Sequence, residues 1–87
     1  MSGASLAFKA LSDPIRREIL KKLKKRDMTP SELSLHFPIS DPSLSHHLNA
    51  LKAANLVTSE KQGQKIVYSL NTTVFYDIIN NFLEGFK

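Results

Sequence analysis

Apolar residues recur at helical spacing in several separate stretches of the chain. Leu44, Leu48 and Leu51 are spaced i, i+4 and i+7, which places them on one face of a helix that spans about residues 41–54. The same kind of spacing predicts four further helices: residues 4–11, 14–25, a helix of barely two turns over 30–37, and one that begins after residue 71.

Residues that cap helix ends support these boundaries. Asp13 precedes Pro14 at the start of the second helix, and Ser40 precedes the fourth. Thr29 and Glu32 have the spacing of a capping box, in which each side chain bonds the backbone amide of the other residue. Asn55 is expected to end the fourth helix in a left-handed conformation, since asparagine tolerates positive φ.

The hydrophobic period changes between residues 56 and 70. Residues 56–59 and 66–70 are rich in β-branched and aromatic side chains, and they flank Gly63. This pattern predicts a β-hairpin with the glycine at its tip. Either Asn71 or Thr72 then caps the last helix, which carries more large apolar groups than one small core can use.

Composition is that of an ordinary globular domain. The chain has 87 residues, of which 41% are hydrophobic and 23% are charged, so we expect one domain. It contains no cysteine, which excludes disulfides, thiolate metal ligands and thiol nucleophiles. A domain of this size buries a limited fraction of its surface, so its stability is low. Because disulfides are excluded, dimerisation is the common source of additional stability that remains.

The basic net charge of the chain favours a polyanionic partner. The net charge is +4, and all but one of the 12 basic residues precede residue 71. A basic excess favours nucleic acid, although many proteins with a modest excess never bind it. No apolar run reaches the ~20 residues of a membrane helix, and the N-terminus shows no leader pattern. We therefore expect a cytoplasmic protein without membrane insertion.

The order of the elements indicates a fold. Two helices joined by a short break, the second beginning with small polar residues and followed by a hairpin, form the winged helix-turn-helix order. The expected class is thus mainly α with a small β-hairpin, in the order ααααββα. Such a helix fits the DNA major groove, where Ser, His and Asn side chains can hydrogen-bond base edges.

Sequence motifs carry a resemblance to a known family. Residues 10–20 spell ALSDPIRREIL, residues 42–48 spell PSLSHHL, and Gln62-Gly63-Gln64 lies at the hairpin tip. Together with Leu51-Lys52, these motifs resemble the ArsR family of transcriptional regulators, and within it the small SdpR-type autorepressor branch. The resemblance implies a repressor, a recognition helix (the fourth) in the major groove and a hairpin wing over the adjacent backbone or minor groove.

The predicted DNA-binding residues lie on the recognition helix and the wing. On a helical wheel, Pro42, His46 and Asn49 lie opposite the leucines, with Ser43 and Ser45 on the flanks. His47 lies nearer the leucines, so its alternative role is that of a partly buried structural histidine. The complete set comprises Ser40, Pro42, Ser43, Ser45, His46, His47, Asn49, Lys61, Gln62, Gln64 and Lys65.

The resemblance also implies dimerisation through the first and last helices. The apolar surplus of the last helix agrees with this, because an exposed patch of that kind usually marks an interface. The alternative is that this helix simply closes its own core. The predicted interface comprises Leu6, Ala7, Ala10, Phe75, Ile78, Ile79, Phe82 and Phe86.

Metal sensing and catalysis are both disfavoured. Members of the resembled family typically bind metals through cysteines or through Asp/His pairs on the last helix, whereas this chain has Asp77 and Glu84 there without histidine. No nucleophile with a base, phosphate-binding glycine loop or carboxylate pair is visible. We expect no metal site, no cofactor and no enzymatic activity, and a protein or peptide is a possible inducer.

Several charged residues have two possible roles. The family often has Lys or Gln where this chain has Asp41, and an acid there would repel phosphate. Asp41 therefore supports an alternative function, that of a winged-helix protein-interaction module that has lost specific DNA binding. The basic run over residues 21–26 is either a solvated helix face or a source of long-range attraction to DNA. Arg16 and Arg17 lie near Asp13 and Glu18, so they either contribute to DNA binding or form structural ion pairs.

Overall fold

The described part of the chain folds into five helices and one hairpin, in the order predicted for a winged helix-turn-helix protein. The structure is a computed structural model, and it describes residues 3–86. The elements are α1 (Gly3–Leu11), α2 (Pro14–Lys25), α3 (Pro30–Ser34), α4 (Asp41–Ala53), β1 (Val57–Gln62), β2 (Lys65–Leu70) and α5 (Thr72–Glu84). The predicted fold class is confirmed.

Each predicted helix cap is present. The Asp13 carboxylate accepts hydrogen bonds from the amides of Ile15 at 2.8 Å and Arg16 at 3.1 Å. Thr29 and Glu32 form the complete capping box, with bonds of 3.0 and 3.2 Å. These bonds satisfy amides that have no partner inside their own helix. They therefore define where α2 and α3 begin.

The remaining caps also follow the sequence. The Ser40 hydroxyl accepts from the Ser43 amide at the start of α4. At α5 the cap is Asn71, whose side-chain oxygen accepts from the Val74 amide at 3.4 Å. Asn55 has φ 59°, the left-handed conformation expected just after α4.

The leucine face of α4 lies in the hydrophobic core. Leu44, Leu48 and Leu51 are each at most 2% exposed. They pack in one cluster with α2, α3 and the residues that lead into β1, and the other fully buried large side chains of that cluster are Ile19, Leu33, Leu56 and Val57. One face of α4 thus packs on the core, and the opposite face is exposed to solvent.

Two boundaries differ from the sequence prediction. Helix α3 ends at Ser34, so Phe37 lies in the connection to α4, where it packs half-buried against the core. The hairpin strands continue to Gln62 and Lys65, which pair with each other beside the Gly63 turn. Residues 60–62 are polar and exposed, and hydrophobic periodicity does not detect such strand ends.

The hairpin is attached to the body by a contact that the sequence did not predict. Met28 and Tyr68 exchange backbone hydrogen bonds of 3.0 and 2.8 Å in an antiparallel bridge. The Asn71 amide also donates to the Leu56 carbonyl. These bonds hold β2 against the segment between α2 and α3. They therefore fix the position of the hairpin relative to the helices.

Among the helices of residues 3–86, α5 is the one without a buried residue. None of the residues Thr72–Glu84 is buried. The helix meets α1 through Phe8 and Phe82, whose ring centroids are 5.6 Å apart, and Phe75 and Ile78 touch the core from one side. A long apolar helix that its own chain covers so little presents a large surface for contact.

Candidate nucleic-acid interface

The exposed face of α4 carries small polar side chains. Pro42, Ser45, His46 and Asn49 are exposed, while Ser43 is half-buried. Ser40 and Asp41 are also exposed, at the N-terminal end of the helix. The helix therefore presents hydroxyl, imidazole and amide groups on the side opposite its leucines, and these groups can bond base edges and phosphates.

The two adjacent histidines have different environments. His46 is exposed, whereas the side chain of His47 is only 12% exposed. His47 Nδ1 lies 4.0 Å from Asp13 Oδ1, and within residues 3–86 it has no hydrogen-bond partner. That distance is too long for a hydrogen bond, so any attraction depends on protonation of the imidazole. His46 faces outward and His47 faces the junction with α2.

Asp13 is held as a carboxylate by its surroundings. Partial burial raises its pKa, but the amides of Arg16 and Ile15 bond the charged form, and the neighbouring His47 and Arg16 also favour it. The net effect is a pKa below the ordinary value of 3.8. The carboxylate therefore stays charged at neutral pH at the place where α2 begins and α4 passes.

The predicted wing residues form an exposed polar hairpin tip. The side chains there are all exposed, and they are Lys61, Gln62, Gln64 and Lys65. Gly63 has φ 64°, which favours glycine at the turn. Two ammonium groups and two amides thus surround a narrow tip that can approach a phosphate backbone.

A side-chain bond that sequence reasoning missed joins α4 to the wing. The Lys52 ammonium donates to the Ser59 hydroxyl at 2.7 Å. Lys52 is in the last turn of α4 and Ser59 is in β1. Nothing local in the sequence indicates this pair, because the two residues belong to different elements. The bond contributes to the relative orientation of the helix and the hairpin.

The two arginines at the start of α2 donate to backbone carbonyls at the end of α1, and Arg16 also favours the charged form of Asp13. Arg17 Nη1 donates to the Leu11 carbonyl at 2.7 Å, and Arg16 Nη2 donates to the Lys9 carbonyl at 3.3 Å. The last carbonyls of α1 lie within reach of both guanidinium groups and lack partners in their own helix. Both arginines therefore fasten α1 to α2.

Most of the basic run is solvent-exposed. Lys21 pairs with Glu18 at 3.2 Å, and Arg26 pairs with Glu32 at 2.9 Å. The backbone amide of Thr29, followed by the Arg26 guanidinium, lowers the pKa of Glu32 from 4.5 to about 2. This favours a solvated helix face in which part of the positive charge is used locally.

The predicted interface residues differ widely in exposure. Ala7 and Ala10 are 0% and 3% exposed, so the chain's own fold covers them. Leu6, Phe75, Ile78 and Ile79 are half-buried, and Phe82 and Phe86 are 48% and 77% exposed. The prediction did not include three other exposed apolar side chains on the same two helices: Phe8, Tyr76 and Leu83.

No metal-binding cluster occurs in the part of the chain that the structure describes. There, no three His, Asp or Glu side chains come together in a way that could hold an ion. Nor does any helix among the described residues have the length and apolar character needed to cross a membrane.

Comparison with known proteins agrees with this geometry. A sequence profile described as "Bacterial regulatory protein, arsR family" matches residues 13–59. The "Transcriptional repressor SdpR" of Bacillus subtilis is 58% identical over 73 residues, which are 84% of this chain and 81% of that protein. The "Arsenical resistance operon repressor" of Staphylococcus xylosus is 44% identical over 92% of this chain and 76% of its own length.

A solved structure extends the similarity to the fold. The "ArsR-like Transcriptional Regulator from Rhodococcus sp. RHA1" superposes with a TM-score of 0.85 at 34% identity. The superposition covers 94% of this chain and 77% of that one. Sequence and structure therefore point to the same group of proteins.

Proposed function

The chain belongs to the arsR family of bacterial regulatory proteins, and from this premise we propose that it is a transcriptional repressor that binds double-stranded DNA as a homodimer. Relatives from Bacillus subtilis and Staphylococcus xylosus are both named repressors. Proteins of this family are transcriptional regulators and not enzymes. The operator is an inverted repeat, because a two-fold symmetric dimer presents two copies of the same DNA-binding surface.

The observation that carries this proposal is the division of α4 into a leucine face and a polar face. The buried leucines hold the helix on the body, and the opposite side offers His46, Asn49 and Ser45 to solvent. A helix docked in the major groove needs such short hydrogen-bonding groups to distinguish base pairs. In this role His46 and Asn49 contact base edges, and the serines at the start of α4 contact bases or phosphates.

The wing supplies contacts to the DNA backbone. Lys61 and Lys65 place ammonium groups on either side of the hairpin tip, and Gln62 and Gln64 add amide donors. Contacts to phosphate set register and orientation without specifying sequence. The Lys52–Ser59 bond supports this arrangement, because it links the base-reading helix to the phosphate-binding hairpin.

The dimer is proposed to use the exposed apolar side of α5 together with α1. Phe82 and Phe86 are large and exposed, and Phe8 of α1 contacts Phe82. Single domains rarely leave a contiguous aromatic surface in water unless a partner covers it. A second copy of the chain is the proposed partner, and the pairing places two recognition helices at consecutive turns of DNA, about 34 Å apart.

Repression is proposed to be independent of metal ions. The Staphylococcus relative is named for arsenical resistance, but this chain lacks cysteine. Helix α5 offers Asp77 and Glu84 without an imidazole. A protein or peptide inducer that competes for DNA or for the dimer surface is the proposed route of release, in a protein that acts in the cytoplasm and regulates its own promoter.

Asp41 favours a second candidate function. It is exposed in the first turn of α4, where its charge suits the helix dipole but opposes a nearby phosphate. A winged-helix module that binds protein instead of DNA would tolerate this acid. An Asp41→Lys variant separates the two, because it should tighten an existing DNA complex and leave a protein-binding module without DNA affinity.

Genomic footprinting of the tagged protein tests the proposal. We expect protected inverted repeats, including one at the protein's own promoter. A chain that protects no DNA site in the cell, while being folded and present, would support the interaction module instead.

A further inference from the structure

Asp41 is the only acidic residue of α4, and it is the first residue of that helix. Its side chain is exposed. The cap of α4 is Ser40, whose hydroxyl accepts from the Ser43 amide at 3.2 Å. The helix therefore begins without any contribution from the Asp41 carboxylate, and the role of that carboxylate lies elsewhere.

The Asp41 carboxylate has no partner in the described part of the chain. No ion pair or side-chain hydrogen bond joins it to another of the residues 3–86. It lines a cleft of about 180 Å³ between α3 and α4, beside the hydroxyls of Ser31, Ser34 and Ser45. None of the described residues that line this cleft is basic. The carboxylate oxygens can thus accept a hydrogen bond from another molecule without breaking an existing contact.

The place of Asp41 on α4 brings it close to the base edges once the helix is docked. The N-terminal residues of a recognition helix are those that contact bases in the major groove. Asp41 lies one turn before Ser45, on the same side of the helix. The helix dipole stabilises a negative charge there, whereas phosphates repel it. A docked carboxylate at this place therefore needs a hydrogen-bond donor on a base.

Cytosine is the base that meets this need best. In the major groove, guanine and thymine present acceptors at the positions where a carboxylate needs a donor. Adenine presents an amino group, but the acceptor N7 lies beside it and opposes the second carboxylate oxygen. Cytosine presents its N4 amino group without an adjacent ring acceptor, and aspartate and glutamate are the side chains that pair with it.

We infer that Asp41 accepts a hydrogen bond from the N4 amino group of a cytosine and is a specificity-determining residue of the DNA-binding surface. The inference rests on the proposed function, because it requires α4 to dock in the major groove. A two-fold symmetric dimer then selects one such cytosine in each half of the inverted repeat.

Loss of the carboxylate has two separable effects on DNA binding. The repulsion of phosphates decreases, and this effect is the same for every duplex. The hydrogen bond to cytosine is also lost, and this effect occurs only in duplexes that carry the cytosine. The ratio of affinities for two duplexes that differ at one base pair cancels the first effect, so base preference is the property to measure.

Selection of binding sites from a library of random duplexes, with the purified full chain at physiological salt, tests the inference. The unaltered protein should enrich an inverted repeat with one cytosine in each half, preferred by about 5- to 150-fold over the other bases at that position. Asp41→Ala should enrich the same repeat without a preference at that position. Asp41→Lys should select guanine there on the same strand, because lysine donates to guanine O6 and N7.

Asp27→Ala is the matched control. It removes the same carboxylate from another exposed residue, which lies between α2 and α3 and outside both α4 and the wing. This variant should keep the preference for cytosine. Melting curves of all three variants verify that each is folded during the selection.

Two results would overturn the inference, and they have different consequences for the proposed function. An enriched repeat whose base preferences are the same for the unaltered protein, Asp41→Ala and Asp41→Lys would show that Asp41 contacts no base, while the chain would still be a DNA-binding repressor. The absence of any enriched sequence with the folded, unaltered protein would overturn the repressor proposal and this inference with it.

Discussion

His47 Nδ1 lies 4.0 Å from Asp13 Oδ1, at the place where the recognition helix passes the N-terminus of α2. Asp13 already accepts two amide hydrogen bonds as the cap of α2. The histidine is thus packed against a carboxylate whose position is fixed, while its neighbour His46 faces solvent. We infer that His47 positions α4 and that His46 contacts DNA.

Alanine substitutions should separate these two roles. His46→Ala should weaken specific DNA binding by roughly 1–3 kcal/mol, as for loss of a base-edge contact, and leave the melting temperature nearly unchanged. His47→Ala should mainly lower the melting temperature, because it removes packing between α4 and α2. Melting curves and operator affinities of both variants check this pair of expectations.

The reversed pattern would contradict the assignment. In that pattern, His47→Ala would lose DNA affinity at unchanged stability, and His46→Ala would destabilise the fold. The DNA-facing surface of α4 would then be rotated by one residue from the face that carries His46.

Glu32 should make the fold sensitive to acid. Its pKa is lowered to about 2 by the Thr29 amide and the Arg26 guanidinium, whereas an unfolded glutamate titrates near 4.5. The stability that it contributes is therefore complete above about pH 5 and is lost as the pH falls toward 2. Glu32→Gln should flatten this part of the curve of unfolding free energy against pH.

Glu60→Gln is the matched control for the loss of one negative charge. Glu60 is exposed on β1, away from the capping box. Urea unfolding between pH 2 and 7 compares the two variants. A Glu32→Gln curve that ran parallel to that of the unaltered protein would show that the capping box does not contribute to acid sensitivity.

Phe82→Glu should abolish dimerisation. The side chain is 48% exposed on α5, and burying a carboxylate in an apolar interface is strongly unfavourable. Sedimentation should show a monomer or an unfolded chain, and circular dichroism distinguishes these two. Leu35→Glu introduces the same charge at another exposed apolar residue, 85% exposed and outside α1 and α5, and should leave the dimer intact. A stable Phe82→Glu dimer would place the interface elsewhere.

The affinity for DNA should fall steeply as the salt concentration rises, and it should not change when metal ions are chelated. A dimer that neutralises about six phosphates has a slope near −5 in a plot of log affinity against log salt concentration. EDTA and added zinc should leave the affinity unchanged, because the chain has no cysteine and no described metal cluster. A tenfold shift with either reagent would overturn metal independence.

The elements predicted correctly are those encoded by neighbouring residues. The Thr29–Glu32 capping box, the Asn55 turn and the leucine stripe of α4 each depend on contacts within a few positions, so their spacing in the sequence reveals them. The family resemblance added the roles of α4 and the wing. That combination was sufficient for the fold and for the exposed position of His46.

The features that were missed depend on contacts between distant segments. The Met28–Tyr68 bridge and the Lys52–Ser59 bond join residues from different elements, and no local period encodes them. The role of Arg16 and Arg17 stayed open in the sequence, because only the folded chain brings the C-terminal end of α1 close to both guanidinium groups.

The most direct test of the central claim is the affinity of the purified protein for a footprinted operator duplex and for the same duplex with both half-sites scrambled. Fluorescence anisotropy at physiological salt measures both. Specific recognition by α4 predicts a preference for the operator of at least about 10³-fold. His46→Ala should reduce this preference, mainly by weakening the operator complex. Equal affinities for the two duplexes, or no binding to either by a folded dimer, would contradict the account.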